Sequence, residues 1–176
     1  ESEIRQSLAA LEGEMGRALG KGLEVSVRSS AAVSMPGMMD TLLNIGDYAG
    51  VQAAIRHIFE SWDTPRAVEY RRLDNIPATL GTAAVVQAMV YGNRDDDSGT
   101  GVVFSRDPST GARGIFGEYL AGAQGEAIVS GKQTPQPLAA LKSAMPGIFE
   151  ELAAIADRLE RHFCDMQDIE FTVESG

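Results

Sequence analysis

The hydrophobic period changes twice along this chain, and no single class of secondary structure accommodates both patterns. Ile4, Leu8, Leu11 and Met15 recur at helical spacing, and Gly20 and Gly22 stop that helix before a strand expected over Leu23 to Arg28. A second helix is expected from Tyr48 to Trp62, with Val51, Ile55 and Ile58 on its buried stripe, and Pro65 opens a short third one reaching about Arg72. From Thr82 to Val129 the pattern becomes short runs rich in Val, Phe and Tyr, broken by Gly and Asp. Ala83 to Tyr91, Gly101 to Ser105, Ile115 to Leu120 and Ala127 to Val129 read as an antiparallel β-region. Helical spacing returns after Pro135 and Pro137 with Ile148, Leu152, Ile155 and Leu159, and Asp168 to Val173 forms the last strand. The expected fold is therefore α+β: a largely antiparallel sheet with flanking helices, in two lobes around one cleft. A chain of 176 residues, 44% of them hydrophobic, can bury the core this needs.

Charge narrows the partners. A formal net charge of -10 and an isoelectric point near 4.6 argue against nucleic acid, whose phosphates are held by excess Lys and Arg. A small polyanion would need a local arginine and a divalent cation. Cys164 is the one cysteine, which excludes an intrachain disulfide and a cysteine-built zinc site and fits a reducing compartment. No apolar run approaches membrane-spanning length, and Glu1-Ser2-Glu3-Ile4 does not open a signal peptide, so no membrane partner and a cytoplasmic location are expected.

Three stretches carry chemistry. In Val27 to Thr41 an apolar strand runs into Arg28, a small-residue turn and the loop Met35-Pro36-Gly37-Met38-Met39-Asp40. This order places a guanidinium and free backbone N–H groups in one concavity, suited to polyphosphate oxygens, although an ordinary surface loop has the same composition. In the last strand, Asp168, Glu170, Thr172 and Glu174 share one face and Ile169, Phe171 and Val173 the other. Two carboxylates on one strand face can ligate Mg²⁺, while the same alternation also describes a half-solvated strand. Glu118 and Glu126 are further acids that either join this cleft or lie on the surface. Asn93 to Gly101 reads as a hairpin turn in which Ser98-Gly99-Thr100-Gly101 has the composition of a lid over phosphates, without the lysine of a P-loop. Gln87 to Tyr91 suits either an adenine slot or plain core.

Other residues read as structural. His57 and His162 lack a partner at metal-ligand spacing, and Cys164 reads as a small buried packing residue; Arg71 and Arg72, being adjacent, cannot both face one point, which leaves one to reach phosphate and the other solvent.

Val27-Arg28-Ser29-Ser30-Ala31, Ser34 to Thr41, Ser61-Trp62 and Ala67 to Arg72 resemble the nucleotide-binding domain of the pyruvate, phosphate dikinase family. So do Gly81-Thr82-Ala83, Val86 to Asn93, Asp97 to Val102, Gly117-Glu118-Tyr119, Ala123 to Glu126, Thr134 to Pro137 and Asp165 to Thr172, in the family's order over nearly the whole chain. The resemblance implies an ATP-grasp domain with nucleotide and Mg²⁺ between two lobes. It implies an enzyme interconverting ATP, phosphate and pyruvate with AMP, pyrophosphate and phosphoenolpyruvate through a histidine on a separate domain. Carried onto this sequence, Arg28 contacts the ATP phosphates, and Met35, Pro36, Gly37 and Thr41 with Ser98, Gly99, Thr100 and Gly101 line the phosphate site. Gln87, Met89 and Val90 line the adenine slot, Glu118 assists at nucleotide or metal, and Asp168 and Glu170 ligate Mg²⁺.

The chain departs from the family at Ser30, where glycine is usual. It also begins after the family's lysine-bearing loop and ends before its Leu-Gln-Thr-Arg strand. Between Leu43 and Phe59 a helical segment of several tens of residues has no counterpart. The expectation is one incomplete domain spanning 1–176, in three parts: an N-terminal helix, strand and phosphate loop (1–47), a helical connection (48–80), and the sheet with its metal-binding strand (81–176). It depends on phosphohistidine and pyruvate-binding domains for the full reaction, and its exposed apolar surface leaves room for a homodimer. A phosphoenolpyruvate synthase-like domain, against which the Met35 to Asp40 loop argues, and a non-catalytic binding module are the other readings of the same scaffold.

Overall fold

The computed structural model describes residues 1–125 and 133–176, so Glu126 and the strand expected at 127–129 lie outside the described residues. The chain divides into two compact units, Glu1–Met89 and Val90–Gly176. The mixed α+β class is as expected. No described helix is long and apolar enough to cross a membrane.

The first unit opens with α1 (Ser2–Met15), which Gly16 ends in a left-handed turn at φ 62°. Two short paired segments follow, β1 (Ala18–Leu19) and β2 (Gly22–Leu23). The body of the unit is a three-stranded antiparallel sheet in which β3 (Val25–Ala31) lies between β4 (Thr41–Ile45) and β5 (Thr82–Ala88). β4 is an element that hydrophobic periodicity missed, because Asn44 interrupts an already short run with a positive φ of 57°. Helix α2 (Tyr48–Ser61) starts where the Asp47 carboxylate accepts the Gly50 N–H at 2.8 Å. α3 (Pro65–Leu73) has Thr64 as its cap and proline in its first turn. Val25 and Val27 are fully buried against Val51, Ala54 and Ile58 of α2, with Leu8 of α1 joining Val25. Side chains of this size stabilise a fold by about 1.5–3 kcal/mol each when enclosed.

The second unit is a four-stranded antiparallel sheet of β6 (Gly99–Arg106), β7 (Arg113–Ala121), β8 (Gln136–Pro137) and β9 (Asp168–Val173), in the spatial order β8, β7, β6, β9. Helices α4 (Ala139–Ala144) and α5 (Pro146–Phe163) follow β8. Leu138, Leu141, Met145 and Leu152 pack on the face carrying Val103, Tyr119 and Val173. The opposite face carries Asp168, Glu170 and Glu118, all exposed, and also the buried Thr100 and Leu120.

β6 begins two residues before its expected start, and this changes the status of its glycines. Tyr119 and Phe171, from the strands on either side, stack with their rings 6.5 Å apart and 7° from parallel. A Cβ on Gly99 would come within 2.4 Å of the Tyr119 ring, and one on Gly101 within 2.4 Å of Phe171 and 2.6 Å of the Glu118 carbonyl oxygen. These two positions are glycine because aromatic rings lie over the central strand.

Candidate functional site

Strand register decides which of the expected residues can meet a ligand. In β3, Val25 and Val27 point toward α2, so Ser26, Arg28 and Ser30 occupy the other face. Arg28 stands opposite Thr41 of β4 on one side and Val85 of β5 on the other, while Ser26 stands opposite Gln87. Residues directly opposed in antiparallel strands share a face, so Arg28, Thr41 and Gln87 come together on the side of the sheet that α2 leaves open. All three are exposed, and the Arg28 guanidinium has no hydrogen bond or ion pair among the described residues. An arginine fork held on a packed sheet with its five donors unspent is suited to phosphate oxygens.

The connection from β3 to β4 is folded back onto the helices. Met38 donates its N–H to the Met35 carbonyl at 3.1 Å, with Pro36 and Gly37 at the corner and Gly37 at φ 67°, which is the sequence and geometry of a type II turn. Met35 does not face solvent: it is buried with Trp62 and Ala67. It anchors the loop, and Pro36, Gly37 and Thr41 are left exposed. Beyond the turn, His57 Nε2 lies 2.8 Å from Asp40 Oδ2, Arg66 lies 3.5 Å from the other carboxylate oxygen, and Arg66 also donates to the Met38 carbonyl at 3.3 Å. Sequence reasoning gave His57 no role, and no local motif could have supplied one, since its partner lies seventeen residues away.

Arg71 and Arg72 separate as adjacency demands. Arg72 forms a two-pronged pair with Glu69, at 2.6 and 2.8 Å. Arg71 is buried, with its guanidinium carbon 4.1 Å from the centre of the Trp62 ring and Nη1 donating to the Trp62 carbonyl. Neither is a spare phosphate ligand.

The expected adenine strand ends earlier than its apolar run suggests. β5 stops at Ala88, and the Met89 N–H donates to the Glu24 carbonyl at 2.9 Å, which removes that donor from base recognition. Met89 is half-buried and Val90 exposed.

In the second unit, Glu118 and Glu170 stand on either side of Val102, and Phe116 and Asp168 on either side of Phe104. The three carboxylates therefore share the face opposite the helices. Two strand spacings separate Glu118 from Glu170, roughly 10 Å, whereas Asp168 and Glu170 are two residues apart on one strand, roughly 7 Å. All three are exposed and carry no hydrogen bond or ion pair among the described residues. No three metal-ligating side chains converge among the described residues. Paired carboxylates are nonetheless donors that Mg²⁺ accepts, since it takes one or two of them and fills its remaining positions with water and phosphate oxygens.

Ser98 to Gly101 are buried, and the turn lies at 92–97. Ser98 Oγ donates to Asp95 at 2.6 Å and accepts the Ser175 N–H at 3.0 Å, and Thr100 Oγ1 donates to the Phe171 carbonyl at 2.9 Å. Both hydroxyls are thus committed within the unit. The turn itself is pinned from the chain's end, where Glu174 pairs with Arg94 and accepts the Tyr91 N–H at 2.7 Å. Hydrogen bonds from the Ser175 and Ser98 hydroxyls hold the Asp95 carboxyl below its usual range. Cys164 is exposed at the left-handed end of α5 instead of buried, its sulfur directed at the Arg161 carbonyl.

The class these observations define is a mixed α+β protein that leaves Arg28 without a partner on an exposed face of one sheet and three carboxylates without partners on an exposed face of the other, among the described residues. The family model described as pyruvate phosphate dikinase, AMP/ATP-binding domain, matches residues 1–149, and the chain belongs to that family. It is 52% identical to the pyruvate, phosphate dikinase of Clostridium symbiosum over 126 residues, covering 72% of this chain and 14% of that protein. It is 34% identical to the chloroplastic enzyme of Mesembryanthemum crystallinum over 264 residues, covering 99% of this chain and 28% of the relative. The enzyme of Rickettsia prowazekii is 32% identical over 272 residues, covering the whole chain and 31% of the relative. The chain thus spans less than a third of the length of these relatives. An alignment of 264 positions against 176 residues also leaves at least 88 positions of the plant enzyme without a counterpart here.

Proposed function

We propose that the chain is the Mg²⁺·ATP-binding domain of a pyruvate, phosphate dikinase-like phosphotransferase, built as an ATP-grasp domain. The observation that carries this is the exposed, unpartnered Arg28, held in register with Thr41 and Gln87 on the open face of the first sheet. In this reading Arg28 takes the ATP phosphates, the Pro36, Gly37 and Thr41 stretch borders them, and Gln87, Met89 and Val90 face the base. Ser98 to Gly101 shape the second sheet through their buried packing. Asp168 and Glu170 hold Mg²⁺, and Glu118 assists from β7, across the central strand β6. When bound, the cation would supply charge neutralisation on phosphate oxygens, and Arg28 supplies directed donors to phosphate; phosphoryl transfer asks a protein for little else.

The reaction proposed for the whole enzyme converts ATP, phosphate and pyruvate to AMP, pyrophosphate and phosphoenolpyruvate. It calls on phosphohistidine and pyruvate-binding domains as partners. High identity to proteins named pyruvate, phosphate dikinase favours phosphate over water as second acceptor.

Calorimetric titration of the chain with ATP in the presence and absence of Mg²⁺ tests the proposal. Saturable, Mg²⁺-dependent binding that weakens in Arg28→Ala and loses its Mg²⁺ dependence in Asp168→Asn is expected. No binding by the unaltered chain would identify a scaffold without nucleotide function, and unchanged binding in both variants would refute the residue assignments.

A further inference from the structure

Nine residues lie between Ala31 and Thr41, so the position of Thr41 beside Arg28 depends on what holds the intervening loop. Three contacts do so, all within the first unit. Met35 enters the pocket of Trp62 and Ala67. Arg66, from the first turn of α3, reaches both the Met38 carbonyl and the Asp40 carboxylate. His57, from α2, meets the other oxygen of Asp40 at 2.8 Å. His57 neighbours Ile58, which is fully buried against Val27, so the histidine is carried on a turn of helix that cannot shift without opening the core.

We propose that His57 and Arg66 are positioning residues for the phosphate-binding face. By clamping Asp40 from two helices they fix the start of β4, and with it the alignment of Thr41 beside Arg28. This inference rests on the proposed nucleotide site. Its basis is a mismatch between the contacts and any role in stability. His57 and Asp40 side chains are 49% and 43% exposed and Arg66 is 57% exposed, and pairs so open to water contribute little to holding a fold together. Yet the two pairs converge on one carboxylate, adjacent in sequence to a residue on the open face. Two helices gripping a single loop residue restrict where the loop can go even where they add little to global stability, and phosphate recognition depends on such restriction.

The test compares His57→Ala, His57→Gln and Arg66→Ala with the unaltered chain, by amide exchange without nucleotide and by Mg²⁺·ATP titration. In His57→Ala, exchange at Met39, Asp40 and Thr41 should quicken while Val25 and Val27 keep their protection, and ATP affinity should fall about tenfold, as expected when reacting groups lose alignment. Arg66→Ala should do the same. His57→Gln, which keeps a donor for Asp40, should recover most of both effects, and the melting temperature should be unchanged throughout. Unchanged exchange at 39–41 in both alanine variants overturns the proposal, as does an affinity loss that follows a fall in melting temperature and is not recovered by glutamine. Were the unaltered chain not to bind Mg²⁺·ATP, the nucleotide reading would fall, while quickened exchange at 39–41 would still establish the clamp and unchanged exchange would refute it.

Discussion

Arg28 and Thr41 stand opposite each other in adjacent antiparallel strands, on the side of the sheet away from Val27 and the α2 helix. The pairing joins a fixed point to an adjustable one: Arg28 sits in the middle of the central strand, and Thr41 ends a loop. Replacing Arg28 by Ala should weaken Mg²⁺·ATP binding on the order of tenfold to a hundredfold, the range set by about 1.5–3 kcal/mol for a charge-assisted hydrogen bond. Arg28→Lys should recover only part of the loss, because an ammonium group lacks the planar fork. Calorimetry measures both, and thermal unfolding should show neither variant destabilised, since the side chain is exposed.

Glycines 101 and 37 should respond differently to the same substitution. Gly101→Ala forces a methyl group against the Phe171 ring and a backbone oxygen, and should destabilise the second unit by about 1–3 kcal/mol. At Gly37 a Cβ meets nothing within 4 Å, and only the positive φ opposes it, so the cost should be about 1 kcal/mol. Denaturant titration distinguishes the two.

Trp62 is the one tryptophan, buried beneath Arg71 and beside Met35. Removing the guanidinium in Arg71→Ala should destabilise the chain by about 2 kcal/mol, through lost packing over the ring and a lost donor to the Trp62 carbonyl. Water would then reach the indole, and its emission should move to longer wavelength. Met35→Ala, which opens the buried cluster around the same ring, should produce the same spectral shift.

Glu160 ties α5 to β6, accepting from Ser105 Oγ at 2.6 Å and from Arg106 at 2.5 and 2.8 Å. The Arg106 hydrogen bonds, followed by that from Ser105, hold its carboxyl below the ordinary value of 4.5. A carboxyl depressed by folding contributes stability above its unfolded value and loses it as the pH falls through the folded one. Glu160→Gln should therefore melt below the unaltered chain at neutral pH, and the difference should shrink below about pH 4.5 and disappear once the native carboxylate is protonated.

How much of this was legible in the residues follows from what each pattern encodes. The last strand runs over Asp168–Val173 as its alternation predicts, and its acidic face is the open one, because period-two patterning states directly which side is buried. The charge at Arg28 was readable too, but the strand expected to end there continues to Ala31, because small Ser and Ala residues carry no stop signal. Ser98 to Gly101 were not. Glycine and hydroxyl residues serve loops, anion cradles and close packing alike, and only the Tyr119 and Phe171 rings show which applies here. Adjacency could say that Arg71 and Arg72 part company but not that Arg71 is the buried one, because its burial depends on an aromatic ring nine residues earlier. The Asp40 clamp was invisible for the same reason, being a tertiary contact without local periodicity.

β9 lies at the outer margin of its sheet, next to β6 on one side only among the described residues. Such a margin invites another chain to add a strand, and natural proteins discourage this by placing charge there. Asp168 and Glu170 would then have two duties that conflict. Like charge on two such margins opposes the approach of a second copy, and a divalent cation bound to the pair, as proposed, would reduce it. On the proposed reading, loading the metal would thus relax the safeguard against self-association on the very strand that would carry the ion.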